Sequence, residues 1–133
     1  MQNFRDLRVW QASRELTAEV YRMSAKFPGA EKFGLTSQLR RATVSIAANI
    51  AEGCGRDTQP ELSRFLAIAT GSAAETEAER QLACDLGFIS ATDHAALAGR
   101  LASLRRMLNA LMSRVRSAND RRTNNQQPTT NNQ

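Results

Sequence analysis

Residues 38–53 read QLRRATVSIAANIAEG, and this stretch decides the fold. Apolar side chains recur there at steps of three and four residues, as they do along one face of a helix. With one residue upstream, this apolar stripe comprises Leu35, Leu39, Ala42, Ile46 and Ile50. A second stripe with the same spacing carries small polar groups between charged ends, and it comprises Gln38, Arg41, Ser45, Asn49 and Glu52. The stretch therefore predicts a helix with one face in a core and a polar seam against another helix.

Three further segments repeat apolar residues at helical spacing. The first helix of the chain runs from a cap at Asp6 to about Lys26. The helix around the opening stretch is the second; it spans about 35–52 and stops at Gly53 and Gly55. The third helix opens at 58–59 with a proline in its first turn, and the fourth follows a cap at Ser90. The fourth helix has the spacing of a bundle core at Leu97, Leu101, Leu104, Leu108, Leu111 and Val115. Four helices with short connections predict an all-α, antiparallel, up-down-up-down four-helix bundle over residues 1–118.

The chain changes character after this bundle. Residues 119–133 contain no apolar side chain, only Asn, Asp, Gln, Thr, Arg and Pro. Such a segment buries too little surface to offset the entropy lost on ordering. The sequence therefore predicts a polar, disordered tail over 119–133.

Composition indicates where in the cell the protein is expected and the state of its cysteines. No apolar run reaches the roughly 20 residues that cross a bilayer, and the N-terminal residues lack the apolar region of a signal peptide. We therefore expect a cytoplasmic protein without a membrane partner. Cys54 and Cys84 stand 30 residues apart and match no metal motif, so free thiols are expected.

Positive charge is concentrated near the C-terminal end. The net charge of the chain is +5, whereas residues 97–122 hold seven arginines and one aspartate, a balance of +6. Arginine forms bidentate contacts with phosphate, and a basic helix is typical of nucleic-acid-binding proteins. The candidate nucleic-acid-binding residues are Arg100, Arg105, Arg106, Arg114 and Arg116. A solvated helix face remains an equal alternative, because no aromatic residue stands among these arginines to stack on bases.

No set of residues suggests catalysis. His94 is the only histidine, and no nucleophile or second histidine accompanies it in a catalytic or di-iron pattern. Glu75 and Glu79 lie one helical turn apart, but pairing with neighbouring arginines explains them better than acid–base chemistry. The sequence therefore predicts no catalytic residues, no metal site and no cofactor.

Several motifs together resemble one family of bacterial four-helix-bundle proteins. They are the opening stretch, Phe33-Gly34-Leu35, Phe65-Leu66-x-Ile68-Ala69 and Gly71-Ser72-x-x-Glu75. The family is encoded in intervening sequences of large-subunit rRNA genes, and the accessory variability-determinant protein of diversity-generating retroelements is similar to it. The resemblance implies an all-helical bundle, a homopentamer and no catalytic residues. It also implies RNA or DNA, or a reverse transcriptase, as a partner.

The resemblance also implies a structural polar seam. Its residues stand where the family motif has them, and they are Arg41, Ser45, Asn49, Glu52, Gly71, Ser72 and Glu75. We predict that Arg41 pairs with Glu75, with Ser45 and Asn49 in the same seam. Family members tend to be more apolar just after this glutamate, where this chain has Thr76, Glu79 and Arg80.

Two functions remain open from the sequence. The first is a non-enzymatic homo-oligomeric bundle that binds RNA or DNA through basic surfaces, as an accessory factor. The alternative is an oligomeric scaffold that binds a protein partner without nucleic acid. Arginines on one contiguous surface favour the first function, and arginines paired with glutamates across subunits favour the second.

Overall fold

A computed structural model describes residues 3–126, which form four long helices and two 3₁₀ turns and, over that range, no β-strand. The helices are α1 (Arg8–Ser24), α2 (Leu35–Cys54), α3 (Gln59–Asp85) and α4 (Ala91–Gln126). The short turns span Phe4–Asp6 and Gly29–Glu31. The predicted all-α four-helix fold is confirmed.

Local signals set three of the helix ends. Thr58 caps α3, its hydroxyl accepting a hydrogen bond from the Glu61 N–H at 3.3 Å. Ser90 caps α4 in the same way, accepting from the Asp93 N–H at 3.1 Å. Helix α3 ends at Asp85, and Gly87 follows with a positive φ of 76°, which lets the N–H of Phe88 turn back to the Ala83 carbonyl at 2.9 Å. These three ends follow the signals in the sequence.

Two helix ends differ from expectation. Asp6 does not cap α1; it closes the preceding 3₁₀ turn, and the extended residue Leu7 leads into the helix without a side-chain cap. Gly53 does not stop α2 but lies buried inside its last turn. A Cβ at Gly53 would lie 3.0 Å from Leu62 Cδ1 and 3.1 Å from Phe65 Cβ. The glycine is there because α3 crosses α2 closely at this point, not because the backbone needs a left-handed conformation.

Consecutive helices run antiparallel, as individual contacts demonstrate. Between α2 and α3, residue 45 meets residue 72, and residue 53 meets residue 65 farther back along α3. Between α3 and α4, residue 70 meets 112 and residue 77 meets 105. Helix α1 also contacts α4, where residue 15 meets 100 and residue 22 comes near 93. Each helix thus packs against its two neighbours around one core.

That core is aliphatic, in keeping with the low aromatic content. Its fully buried side chains include Leu16 and Val20 from α1, Ile46 and Ile50 from α2, and Leu66 from α3. Helix α4 contributes the predicted series, with Met112 buried in place of the half-buried Leu111; the series is Leu97, Leu101, Leu104, Leu108, Met112 and Val115. This packing leaves the polar side of α4 on the surface.

Helix α4 extends farther than the sequence suggested. A disordered tail from residue 119 was expected, but the helix continues to Gln126. Asn119 is half-buried and, with Arg122, flanks a hollow whose other wall is the start of α3 at Thr58 and Pro60. Since no proline interrupts the chain before position 128, α4 propagates along this neighbour without burying apolar side chains. The remaining predicted tail, 127–133, lies outside the described residues.

None of the helices within residues 3–126 has the length and apolar character needed to span a bilayer.

Candidate nucleic-acid interface

The five candidate arginines occupy both flanks and the outer side of α4. Arg100 faces α1, where its guanidinium lies 3.5 Å from the Glu15 carboxylate. Arg105 faces α3 and forms an ion pair with Glu77. The Arg100–Glu15 pair is exposed, and exposed ion pairs contribute only about 0–1 kcal/mol, so phosphate can compete for Arg100. The Arg105–Glu77 pair is partly buried, so Arg105 is less available to phosphate.

The other three candidates have no carboxylate within 4 Å among the described residues. Arg106 lies on the outer side of α4 and is exposed. Arg114 borders a hollow between α4 and the start of α1, together with Arg8. Arg116 borders a second hollow toward α3, beside Asn109 and Asp120. The structure therefore places the arginines over a broad surface, as their spacing in the sequence requires.

The centre of the predicted polar seam lies between α2 and α3. The hydroxyls of Ser45 and Ser72 are 2.7 Å apart, and either one can donate the hydrogen bond. The amide of Asn49 donates to the Ser45 carbonyl at 2.8 Å and to its hydroxyl at 3.0 Å. Small side chains are needed here because the two helix backbones run close together.

The charged ends of the seam do not behave as predicted. Arg41 and Glu75 are both exposed, and they form no ion pair with each other. The Ser45–Ser72 contact holds the two helices together, while both charged residues lie outside that line and point to solvent. Glu52, near the end of α2, forms an ion pair with Arg56, which lies just beyond the helix.

Gly71 also departs from its expected role. The resemblance places it in the polar seam between helices, but it is exposed, and a Cβ there would meet nothing within 4 Å. Packing within the single chain therefore gives no reason for a glycine in the middle of α3.

Two charged residues of α3, Glu79 and Arg80, are buried, which the sequence did not lead us to expect. The predicted pairing of Glu75 and Glu79 with neighbouring arginines is wrong, since among the described residues no Lys or Arg nitrogen lies within 4 Å of either carboxylate. Glu79 is only 5% exposed, and one of its carboxylate oxygens, Oε2, has no hydrogen-bond partner. Burial, together with hydrogen bonding to Glu75 and the negative charge of that residue, raises the pKa of Glu79 to about 7. The signal was the spacing, because position 79 continues the buried series Ala69, Ser72 and Thr76.

Arg80 is the second buried charged residue. It is 8% exposed, and one of its terminal nitrogens lies 3.0 Å from Nδ1 and 3.2 Å from Nε2 of His94. The only histidine of the chain is thus half-buried against a guanidinium at the start of α4. Within residues 3–126, no group of three His, Cys, Asp or Glu side chains is arranged to hold a metal ion.

Comparison with known proteins agrees with this architecture. The chain is similar to a crystal structure from Bacteroides thetaiotaomicron, a protein of unknown function from the S23 ribosomal protein family. The TM-score is 0.71 at 21% sequence identity, covering 78% of this chain and 97% of that one. This likeness establishes a shared fold. A search of curated proteins found no match. Residues 5–110 match the model of the 23S rRNA-intervening sequence proteins, and the chain therefore belongs to that family.

Proposed function

We propose that this protein is a non-enzymatic, homo-oligomeric helical bundle that binds RNA or DNA through the outer surface of α4. One observation carries the proposal: residues 97–122 hold seven arginines against a single aspartate. Three of the five candidate arginines have no acidic partner within 4 Å among the described residues. Arg100 is held only by an exposed ion pair, and Arg105 by a partly buried one. A surface of this sign attracts a polyanion.

The contacts would be made to phosphates and not to bases. The arginines lie on both flanks of α4, so they do not form the single stripe of a groove-reading helix. No aromatic residue occurs within 97–122 to stack on an unpaired base. Affinity would therefore depend strongly on salt and little on sequence.

Family membership supports nucleic acid as the class of partner. The family is named for the intervening sequences of 23S rRNA. A weak basic surface gains affinity when several copies act on one strand. Self-association and nucleic-acid binding would thus support each other. An accessory role beside a nucleic-acid enzyme such as a reverse transcriptase fits the same chemistry.

The test is binding of a fluorescent RNA and a DNA of equal length at several salt concentrations. We expect the logarithm of the affinity to fall linearly with the logarithm of the salt concentration. Arg106→Glu with Arg114→Glu should weaken binding of all sequences alike. The matched control is Lys26→Glu with Lys32→Glu, which changes the net charge equally at another part of the surface. An equal loss in both double variants would mean that net charge alone, and not this surface, attracts the nucleic acid.

A scaffold for a protein partner is the second candidate function. The observation in its favour is that Arg100 and Arg105 already meet carboxylates of neighbouring helices. If the folded, assembled protein ignores both RNA and DNA at low salt, the nucleic-acid proposal is wrong and the scaffold function replaces it.

A further inference from the structure

One side of α3 exposes apolar side chains that the bundle does not cover. Ile68 is 42% exposed, Leu82 is 52% exposed and Leu86, just after the helix, is 60% exposed. Positions 68, 75 and 82 are separated by seven residues each, so they lie on one side of the helix. Together with Gly71 and Glu75 we name this surface the α3 ridge. Large apolar side chains aligned along a helix mark a surface for another protein.

The ridge contains a glycine that the single chain does not explain. Gly71 is exposed and has no heavy atom within 4 Å of a Cβ placed on it. Glycine is unfavourable in the middle of a helix. A bare backbone at this point is useful if a helix of another molecule comes close to α3.

The ridge also carries a pair of carboxylates without a cation. Glu79 is 95% buried one turn after the exposed Glu75, and its Oε2 has no hydrogen-bond partner. Among the described residues, no Lys or Arg nitrogen lies within 4 Å of either carboxylate. The buried Glu79 avoids the cost of an unpaired charge by holding a proton, and a positively charged neighbour would let it ionise at less cost.

A second surface has the opposite properties. A groove of about 380 Å³ lies between α1 and α2, and its walls are mostly apolar. We name it the α1–α2 groove; its lining residues include Trp10, Arg14, Val44, Ala48 and Ala51. Arg41 precedes Val44 by one helical turn on the outer side of α2, and it is exposed without an ion pair. The groove is thus apolar with cations at its edge.

We propose that the α3 ridge of one copy packs into the α1–α2 groove of a second copy, whose Arg41 pairs with the exposed Glu75 beside the buried Glu79. Polarity and charge both match: an apolar ridge with an acidic centre meets an apolar groove with a basic edge. Because the two surfaces differ, the contact is head-to-tail, and repetition with a suitable rotation closes a ring. Nucleic acid does not fit the ridge, since the carboxylates repel phosphates. The inference rests on the self-association in the proposed function and names the surfaces that produce it.

Charge reversal tests the contact in the full-length protein. Arg41→Glu and Glu75→Arg should each shift the assembly toward monomers in sedimentation velocity, raising the midpoint concentration of association at least about tenfold. Neither residue has an ion pair within the chain, so the helical circular dichroism of both variants should stay unchanged. The double variant Arg41→Glu with Glu75→Arg should assemble again, because opposite charges then face each other at every contact of the ring. Arg106→Glu and Asp57→Arg are matched controls outside both surfaces and should assemble like the unmodified chain.

Each other outcome has one meaning. If the unmodified chain assembles and both reversals still assemble, the ridge–groove contact is wrong while the proposed function stands. A chain that remains monomeric at micromolar concentration overturns self-association and this contact together. If Arg41→Glu weakens RNA binding without changing the assembly, Arg41 belongs to the nucleic-acid surface instead. Should Glu75→Arg fail to fold, Leu82→Gln tests the same ridge, and unchanged assembly in that variant would contradict the proposal.

Discussion

Glu79 is the residue whose behaviour depends most on its surroundings. Its pKa is raised from 4.5 to about 7, so the folded chain holds a proton on this side chain that the unfolded chain releases. Stability is therefore greatest in mildly acidic solution and falls as the pH rises from about 5 through 7. The cation expected from a second copy would reduce this effect, so the single chain is best studied in an Arg41→Ala background.

We expect the thermal unfolding midpoint of Arg41→Ala to be higher at pH 6 than at pH 8. Glu79→Gln in the same background removes the titrating group while keeping its shape, so the midpoint should change less between these pH values. The measurement is circular dichroism at 222 nm during heating. Equal pH dependence with and without Glu79 would show that another group is responsible.

Gly53 and Gly71 give opposite predictions for the same substitution. Gly71→Ala adds a methyl group in open space and removes a poor helix former, so it should stabilise the Arg41→Ala chain by about 0.5–1 kcal/mol. Gly53→Ala gains the same helix propensity but places its Cβ near Leu62 and Phe65, and such overpacking costs about 1–3 kcal/mol. Chemical denaturation distinguishes them. If both substitutions stabilise the chain, α2 and α3 are not in tight contact at Gly53.

At the scale of the helices, the sequence predicts three boundaries because capping is local. Thr58, Ser90 and Gly87 each act through atoms within a few residues, so the sequence carries the whole signal. Gly53 is different, because the need for a glycine there comes from contact with Leu62 and Phe65 of α3, and local sequence does not reveal that contact. The same holds for the seam, where the Ser45–Ser72 contact follows from small polar spacing, whereas the separation of Arg41 from Glu75 depends on the rotation of both helices.

The last turns of α4 are helical although they bury few side chains. Residues beyond Val115 bury little, yet the helix continues to Gln126 beside the start of α3. Arg121→Pro should interrupt this extension by clashing with the carbonyl of residue 117, and it should lower the helical signal at 222 nm. The unfolding midpoint should change by no more than a few degrees, since the core ends at Val115. Arg121→Ala is the control, and an unchanged signal in the proline variant would mean that the extension is not helical in solution.

At the scale of the whole molecule, the two proposed tasks, nucleic-acid binding and self-association, use separate surfaces. The arginines lie on α4, whereas the α3 ridge and the α1–α2 groove use the other three helices. An assembly built through the ridge and groove would leave the outer side of every α4 free. This separation explains why Arg106→Glu and Arg41→Glu are expected to change different properties.

Assembly should also change how nucleic-acid binding responds to salt. A particle with several α4 surfaces neutralises more phosphates on one strand than a single chain does. We therefore expect the plot of log affinity against log salt to be steeper for the unmodified protein than for dissociated Arg41→Glu, with each additional phosphate contact adding about 0.7–0.9 to the slope. Filter binding with an RNA long enough to span several copies measures both slopes. Identical slopes would mean that each chain binds alone.

The uneven charge along the chain has a consequence for motion as well as for affinity. Residues 97–122 carry +6 while the whole chain carries +5, so the rest of the molecule is nearly neutral with a slight negative excess. Such a molecule has a large electric dipole directed across the bundle. In the field of a polyanion it would rotate before contact and arrive with α4 leading, which raises the fraction of productive collisions. Ionic strength would then act first on the rate of association, through this orientation, before it acts on the lifetime of the complex.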